Sequence, residues 1–161
     1  MNISYQTQIN NQEKILKEFL FLAIYSPPGE SPPARSILED PKLARYYQAW
    51  GQKDDHALFA VINNQPIGAC WSRCYPEEAP GYGTINSNIP ELSIAVLPEF
   101  RGMGVGTELL AKFLNMMQPH YLEISLSVHA TNPAIGLYQR FGFVNHDQRG
   151  ESILMIKELN K

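Results

Sequence analysis

The chain has little of what several function classes require. It holds only two cysteines, Cys70 and Cys74. They stand four apart in a segment that reads as a strand, which sets their Cα atoms about 13 Å apart. That separation excludes a disulfide between them in that conformation, and the spacing matches no zinc pattern. Four histidines, at 56, 120, 129 and 146, are scattered without helical or paired spacing, so they read as surface or core residues and no metal is expected. Positive charge is not in excess: 13 Lys and Arg stand against 16 Asp and Glu, a net charge of −3. A nucleic-acid partner would leave a basic footprint, and none is there. No apolar run is long enough to span a bilayer. Residues 19–25 are apolar, but the run is short and follows Lys14, Lys17 and Glu18. It reads as an amphipathic core helix rather than a signal peptide, so no membrane partner is expected and the expected compartment is the cytoplasm. Repeats and low-complexity tracts are absent as well.

What remains describes an ordinary globule. The 161 residues, 44% hydrophobic and 18% charged, suffice for a single domain over 1–161 with its own core. Residues 3–9 alternate apolar and polar as a strand does, and 12–25 carry a helical pattern. A proline-rich loop, 26–34, breaks any helix there. Asp40-Pro41 to Trp50 reads as a second helix, capped by Asp40 and closed by Gly51. Residues 57–62 and 66–75 read as two strands joined by a hairpin at Asn63-Asn64-Gln65. A loop with three prolines and two glycines follows from 76 to 90.

The richest text is Glu91-Leu-Ser-Ile-Ala-Val-Leu-Pro-Glu-Phe-Arg-Gly-Met-Gly-Val-Gly-Thr107. It reads as a strand from Glu91 to Leu97, stopped by Pro98, then a glycine turn, then a helix. The helix is expected from Val105 to Met117, with Val105, Leu109, Leu110, Phe113, Leu114 and Met117 on one face. Glycines without Cβ atoms let backbone N–H groups approach an anion, and the free N–H groups and positive dipole end of a helix favour phosphate oxygens. The segment is therefore expected to hold a phosphorylated ligand. It is not a P-loop, because Gly106 is followed by Thr107 with no lysine. Nor is it a dinucleotide fingerprint, because the glycines fall as Gly-x-Gly-x-Gly.

Downstream, residues 124–128 alternate as a half-buried strand. Asn132-Pro133 reads as an N-cap with proline at the first helical position. A short helix from Ala134 to Arg140 ends at Gly142. Phe143-Val144 begins another strand, and Glu151 to Glu158 is the last. The text ends Leu137-Tyr138-Gln-Arg-Phe-Gly142-Phe143.

These two motifs together resemble the GNAT superfamily of acyl-CoA-dependent N-acetyltransferases, the first its pyrophosphate-binding strand–turn–helix and the second its other core motif. The resemblance implies an α/β (α+β) GNAT fold: a mixed, mostly antiparallel sheet of about seven strands flanked by about four helices. It implies acetyl-CoA as acyl donor, bound by a core over 91–145, and an acceptor site formed by helices within 10–51. The implied activity moves an acetyl group to a primary amine of a small molecule. A protein or peptide acceptor, or a non-catalytic acyl-CoA sensor, stays open as an alternative, as does a homodimer.

Residue by residue, the resemblance places the pyrophosphate on the backbone of Gly102, Met103, Gly104, Val105 and Gly106 with the Thr107 hydroxyl, and lets Arg101 add charge. It implies a bulged strand that splays from its neighbour at 124–128, with pantetheine pairing to the main chain of Ile94, Ala95 and Val96 and an N–H near Val96 facing the thioester carbonyl. Tyr138 takes the family's general-acid position; a phenol of pKa about 10 is near enough to an alkyl thiol to protonate a departing thiolate. Asn132 would meet the pantetheine amide, but it stands one residue closer to Tyr138 than in the family's Asn-x-x-Ala-x-x-Leu-Tyr, which leaves Thr131 in that register. Ser127 stands where some relatives carry a glutamate. The base is then expected at Glu91, on the strand face of Ser93 and Ala95. Tyr46, Tyr47, Trp50, Trp71 and Arg73 are candidates to line the acceptor site.

Overall fold

The computed structural model describes residues 2–160. Seven strands form one sheet: β1 (Ser4–Gln6), β2 (His56–Ile62), β3 (Gln65–Arg73), β4 (Glu91–Val96), β5 (Glu123–His129), β6 (Val144–Arg149) and β7 (Ser152–Glu158). Four helices accompany it: α1 (Gln12–Ala23), α2 (Pro41–Ala44), α3 (Val105–Met117) and α4 (Ile135–Arg140). The spatial order is β1-β2-β3-β4-β5-β7-β6. Every pairing is antiparallel except β4 with β5. This is the mixed, mostly antiparallel sheet expected.

Two apolar layers cover the sheet. On one face α3 buries Val105, Leu109, Leu110, Phe113, Leu114 and Met117, the six residues of its predicted stripe. Phe113 has no exposed surface, so truncation to Ala would cost about 3–5 kcal/mol. Tyr138 and Phe143 join this layer. On the other face α1 buries Leu16, Phe19 and Leu20 against Phe59, Ala69, Trp71 and Ala95. The β2–β3 hairpin turns on Asn63 (φ 49°) and Asn64 (φ 64°), the left-handed pair that a two-residue turn of this kind demands.

Two expectations are corrected. The second helix does not run to Trp50; regular α-helix ends at Ala44. Beyond it the carbonyls of Arg45, Gln48 and Ala49 accept hydrogen bonds from the Arg73 guanidinium, and Ala49 turns left-handed at φ 54°. A side chain from β3 thus takes the carbonyls that another helical turn would use. The bulge expected in β4 is also not there. β3 and β4 pair in unbroken register from Arg73↔Glu91 to Gly68↔Val96, while a register shift falls in β2 between Ala60 and Val61.

Candidate active site

β4 and β5 part almost where they begin. Their register is the single pair Glu91↔Ser125, closed by the Ser125 N–H donating to the Pro90 carbonyl (3.0 Å). The Leu97 N–H donates to Ile67 on the opposite side (2.8 Å). Backbone groups alternate sides along a strand. The odd residues of β4 therefore face β3, and past the Glu91↔Ser125 pair the N–H and C=O groups of Ile94 and Val96 are on the side of the gap. The main chain of Ala95 is taken up by β3, so this residue meets the gap through its side chain. The far end of α1 closes over the opening, with Ala23, Ile24 and Tyr25 on its walls.

The gap holds two adjoining cavities. The first, about 600 Å³, runs along Ile94, Ala95 and Val96 past Arg101, Gly106 and Asn132 to Tyr138. The second, about 360 Å³, is lined by Tyr46, Tyr82, Glu91, Ile94, Ser127 and Tyr138 among others. Ile94, Asn132 and Tyr138 lie on both.

The outer end of the groove meets the glycine turn. A short 3₁₀ turn, Pro98–Phe100, follows β4. Gly102 (φ 76°) and Gly104 (φ 83°) are left-handed, with open space where a Cβ would point. No carbonyl accepts from the N–H groups of residues 102–107 among the described residues; the first intrahelical bond there is Glu108 N–H to Gly104 (3.1 Å). That row of free donors at the start of a 13-residue helix is a ready anion site. Met103 and Thr107 are exposed beside it, whereas the Val105 side chain is buried in the core, leaving only its backbone available. Arg101 is exposed, and its Nε donates to the Val96 carbonyl (3.1 Å).

The inner end carries a buried polar cluster. Glu91 is buried, 3% exposed, and its Oε2 accepts from the Tyr46 hydroxyl at 2.6 Å. That hydroxyl in turn accepts from the Tyr82 N–H (2.7 Å). Thr84 Oγ1 donates weakly to Glu91 Oε1 (3.4 Å) and accepts from the Gly81 N–H (2.8 Å). Residues 81–84 are thereby folded over the carboxylate, and the Gly83 carbonyl is fastened to β5 by the Ser125 hydroxyl (2.6 Å). A Cβ at Gly81 would lie 2.2 Å from Glu91 Oε1, and one at Gly83 2.8 Å from the β5 backbone, so only glycine allows this approach. Burial pushes the Glu91 carboxyl up to about 7, against hydrogen bonds from Tyr46, Gly83 and Thr84 and the Arg149 charge, which pull it down. A carboxylate that titrates near neutrality, in a cavity, is suited to move protons.

Tyr138 is also buried, set edge-on to Phe143 with centroids 6.0 Å apart. Its hydroxyl makes no hydrogen bond among the described residues. Burial, with Cys70 nearby, raises its pKa well above 10, so the phenol stays protonated at any working pH.

The structure separates the two candidates next to α4. Asn132 lies on both cavities, its Oδ1 accepting from the Ala134 N–H (2.9 Å) as a cap. Thr131 lines neither; its hydroxyl is tied to Tyr25 (3.1 Å) and His129 (3.0 Å). Of the five acceptor-site candidates from helix and strand, Tyr46 alone reaches the cavity. Tyr47 bonds the Leu38 carbonyl, Trp71 is buried with its indole N–H on the Tyr46 carbonyl, and Trp50 packs on Arg73. Sequence reasoning missed Tyr25, Tyr82 and Thr84. The glycines flanking Tyr82 in a proline-rich loop were the available signal for a close backbone approach.

A model of the acetyltransferase (GNAT) family matches residues 21–143. An N-alpha-acetyltransferase of Sulfolobus acidocaldarius is 51% identical over 55 residues, 32% of this chain and 33% of that one; the chain thus spans about a third of the length of that relative. Among solved structures, the PaiA N-acetyltransferase of Thermoplasma acidophilum, in complex with coenzyme A, is similar with a TM-score of 0.68 at 21% identity over 98% of this chain and 99% of that chain. The ribosomal-protein-S18-alanine N-acetyltransferase of Escherichia coli is similar with a TM-score of 0.67 at 14% identity over 99% and 96%. At such identities the two likenesses speak for the fold. No helix among the described residues is long and apolar enough to cross a membrane.

Proposed function

The chain belongs to the GNAT family of acetyltransferases, and on that premise we propose that it transfers an acetyl group from acetyl-CoA to a primary amine of a small molecule, by direct attack. One observation carries the reading. A single groove runs from six free N–H groups at the α3 start, along the unpaired edge of β4, to a buried carboxylate and a buried phenol.

The residues fit the donor. N–H groups of 102–107 hold the pyrophosphate, with Arg101 and the Thr107 hydroxyl beside them. The open backbone of Ile94 and the free Val96 N–H pair with the pantetheine arm, the Ala95 side chain shapes the wall, and the Asn132 amide is within the same cavity. The Val96 N–H is aimed into the gap, where it stabilises negative charge developing on the thioester oxygen. Glu91 accepts a proton from the incoming amine, directly or through one water. Tyr138 donates to the departing sulfur. Acid and base on two sides of one cavity favour catalysis over a sensor role.

A second reading, acetylation of a peptide α-amine, is favoured by the name of the Sulfolobus acidocaldarius relative. The inner cavity of about 360 Å³, walled by Tyr46 and Tyr82, is of a size that favours the small amine. The test is an amine panel with acetyl-CoA, read by free thiol release, with short peptides as one arm. Release that depends on a small primary amine supports the first reading; release with peptides alone supports the second.

A further inference from the structure

Beyond Glu91 the groove opens into a third cavity of about 480 Å³, whose walls include Lys42, Arg45, Glu78, Gly81 and Arg149. It shares Tyr82, Ser127 and Ser152 with the inner cavity. Its wall at Gly81 is the other side of the segment packed against the Glu91 carboxylate. Three cations face one carboxylate here, in a chain whose net charge is −3.

The two arginines are set in place without being neutralised. Arg45 donates through Nε to the Pro41 carbonyl (3.1 Å) and through Nη1 to the Pro80 carbonyl. Arg149 donates through Nη1 to the carbonyls of Tyr82 and Thr84, 3.3 Å each. Neutral carbonyls fix a guanidinium yet leave its charge intact, and each Nη2 is without a partner among the described residues. Two acids are near: Glu78 lines the cavity at an exposed position and makes no ion pair among the described residues, and Asp147 lies 3.8 Å from Arg149 Nε at a half-exposed position, where screening leaves little attraction. Lys42 makes no ion pair among the described residues. Arg149 holds the carbonyls of Tyr82 and Thr84, in the same segment whose Thr84 hydroxyl bonds Glu91, and its charge helps to lower the Glu91 pKa.

We propose that this cavity is an anion subsite and that the acceptor is zwitterionic: a small amine bearing a carboxylate or phosphate a few bonds from its nitrogen. The inference rests on the acetyltransferase reading above and names its substrate class. Glu91 receives the amine proton while Arg45, Arg149 and Lys42 hold the acid group, so one molecule spans both cavities. The free Nη2 groups and the Lys42 ammonium are charge-assisted donors that suit either oxyanion.

The experiment compares matched acceptors with acetyl-CoA by free thiol release: an α-amino acid against its carboxamide, and O-phosphoethanolamine against ethanolamine, each corrected for its free-amine fraction. The acid of at least one pair is expected to show kcat/KM about tenfold or more above its neutral partner, and the pair that does so names the oxyanion. Lys42→Gln, at an exposed position, is expected to lower that ratio about threefold and Lys42→Glu to lower it further, mainly through KM; added salt should lower it too. Arg149→Gln serves as a second variant, checked for folding because it also frees two loop carbonyls. Equal kcat/KM for acid and neutral partners overturns the subsite and leaves the transferase standing. A ratio unmoved by both Lys42 variants and by Arg149→Gln overturns the assignment to this cavity. Absence of transfer to every amine, with acetyl-CoA bound, overturns both readings.

Discussion

Arg73 and Glu91 stand directly opposite each other on β3 and β4, yet they share no ion pair. The guanidinium turns instead to Asp55, with Nη2 2.6 Å from Oδ2 and both side chains under a tenth exposed. Its remaining donors fasten the chain after α2, where Tyr46 sits. One arginine thereby positions the tyrosine that bonds Glu91, while its own charge is held by Asp55. The carboxylate is left to burial, and its affinity for protons rises.

Asp55→Asn tests this division. Arg73 would keep its carbonyl partners but lose its counter-charge beside Glu91. An uncompensated positive charge favours the carboxylate, so the Glu91 pKa should fall below about 7 and the acid limb of kcat/KM should move to lower pH. Breaking a buried pair should also cost on the order of 3 kcal/mol, measured by urea unfolding. An acid limb left in place would show that Arg73 does not reach Glu91 electrostatically.

Tyr46→Phe should move the same limb the other way. The lost hydroxyl donates to the ionised form of Glu91, so its removal favours the protonated acid and raises the pKa further. The Tyr82 N–H loses its acceptor as well, which costs about 1–3 kcal/mol. A pH–rate profile and a thermal melt on one preparation check both effects.

Gly104→Glu should abolish coenzyme A binding. Gly104 is left-handed, and the new side chain would set backbone strain and a negative charge at the row of free N–H groups. Titration calorimetry on the folded variant reads the outcome, and unchanged affinity would move the pyrophosphate away from this turn.

Tyr138→Phe should leave coenzyme A affinity nearly unchanged and lower turnover about 10²-fold or more, the contribution of one general acid. Single-turnover rates isolate the chemical step. Unchanged rates would return Tyr138 to a packing role beside Phe143.

How legible each part was in the sequence follows from how local its causes are. α3 runs from Val105 to Met117 as read, because a left-handed glycine and one apolar stripe, all within one segment, define it. The hairpin at Asn63-Asn64 is local in the same way. α2 was misjudged because its C-terminal carbonyls are taken by Arg73, from another strand. Glu91 could be named from its strand face. Its lid could not, because Tyr46, Tyr82 and Thr84 are brought to it by tertiary contacts across sequence separations of up to 45 residues. Neither could the basic cavity be read, since Arg149 comes from a strand far along the chain from Lys42 and Arg45, and no local pattern relates it to them.

Glu91→Gln gives the sharpest test, because one pKa predicts two separate pH dependences. As the base, Glu91 must be ionised, so wild-type kcat/KM should rise through a pKa of about 7. The Gln variant should lack that limb and follow the acceptor amine's own ionisation, with its deficit shrinking at alkaline pH as the free amine accumulates. Stability runs in the opposite sense. The folded pKa of about 7 lies above the ordinary 4.5, so the group's contribution to stability is fully present below about 4.5 and is lost as pH rises through about 7. Wild type should therefore lose on the order of 2 kcal/mol relative to Glu91→Gln between pH 5 and 8, read from urea unfolding at both values. A stability difference that does not change with pH would mean Glu91 titrates normally and is not held in the buried cavity described. The expected stability shift with an unaltered acid limb of kcat/KM would mean that the buried carboxylate is real but that another group, or solvent, takes the amine proton.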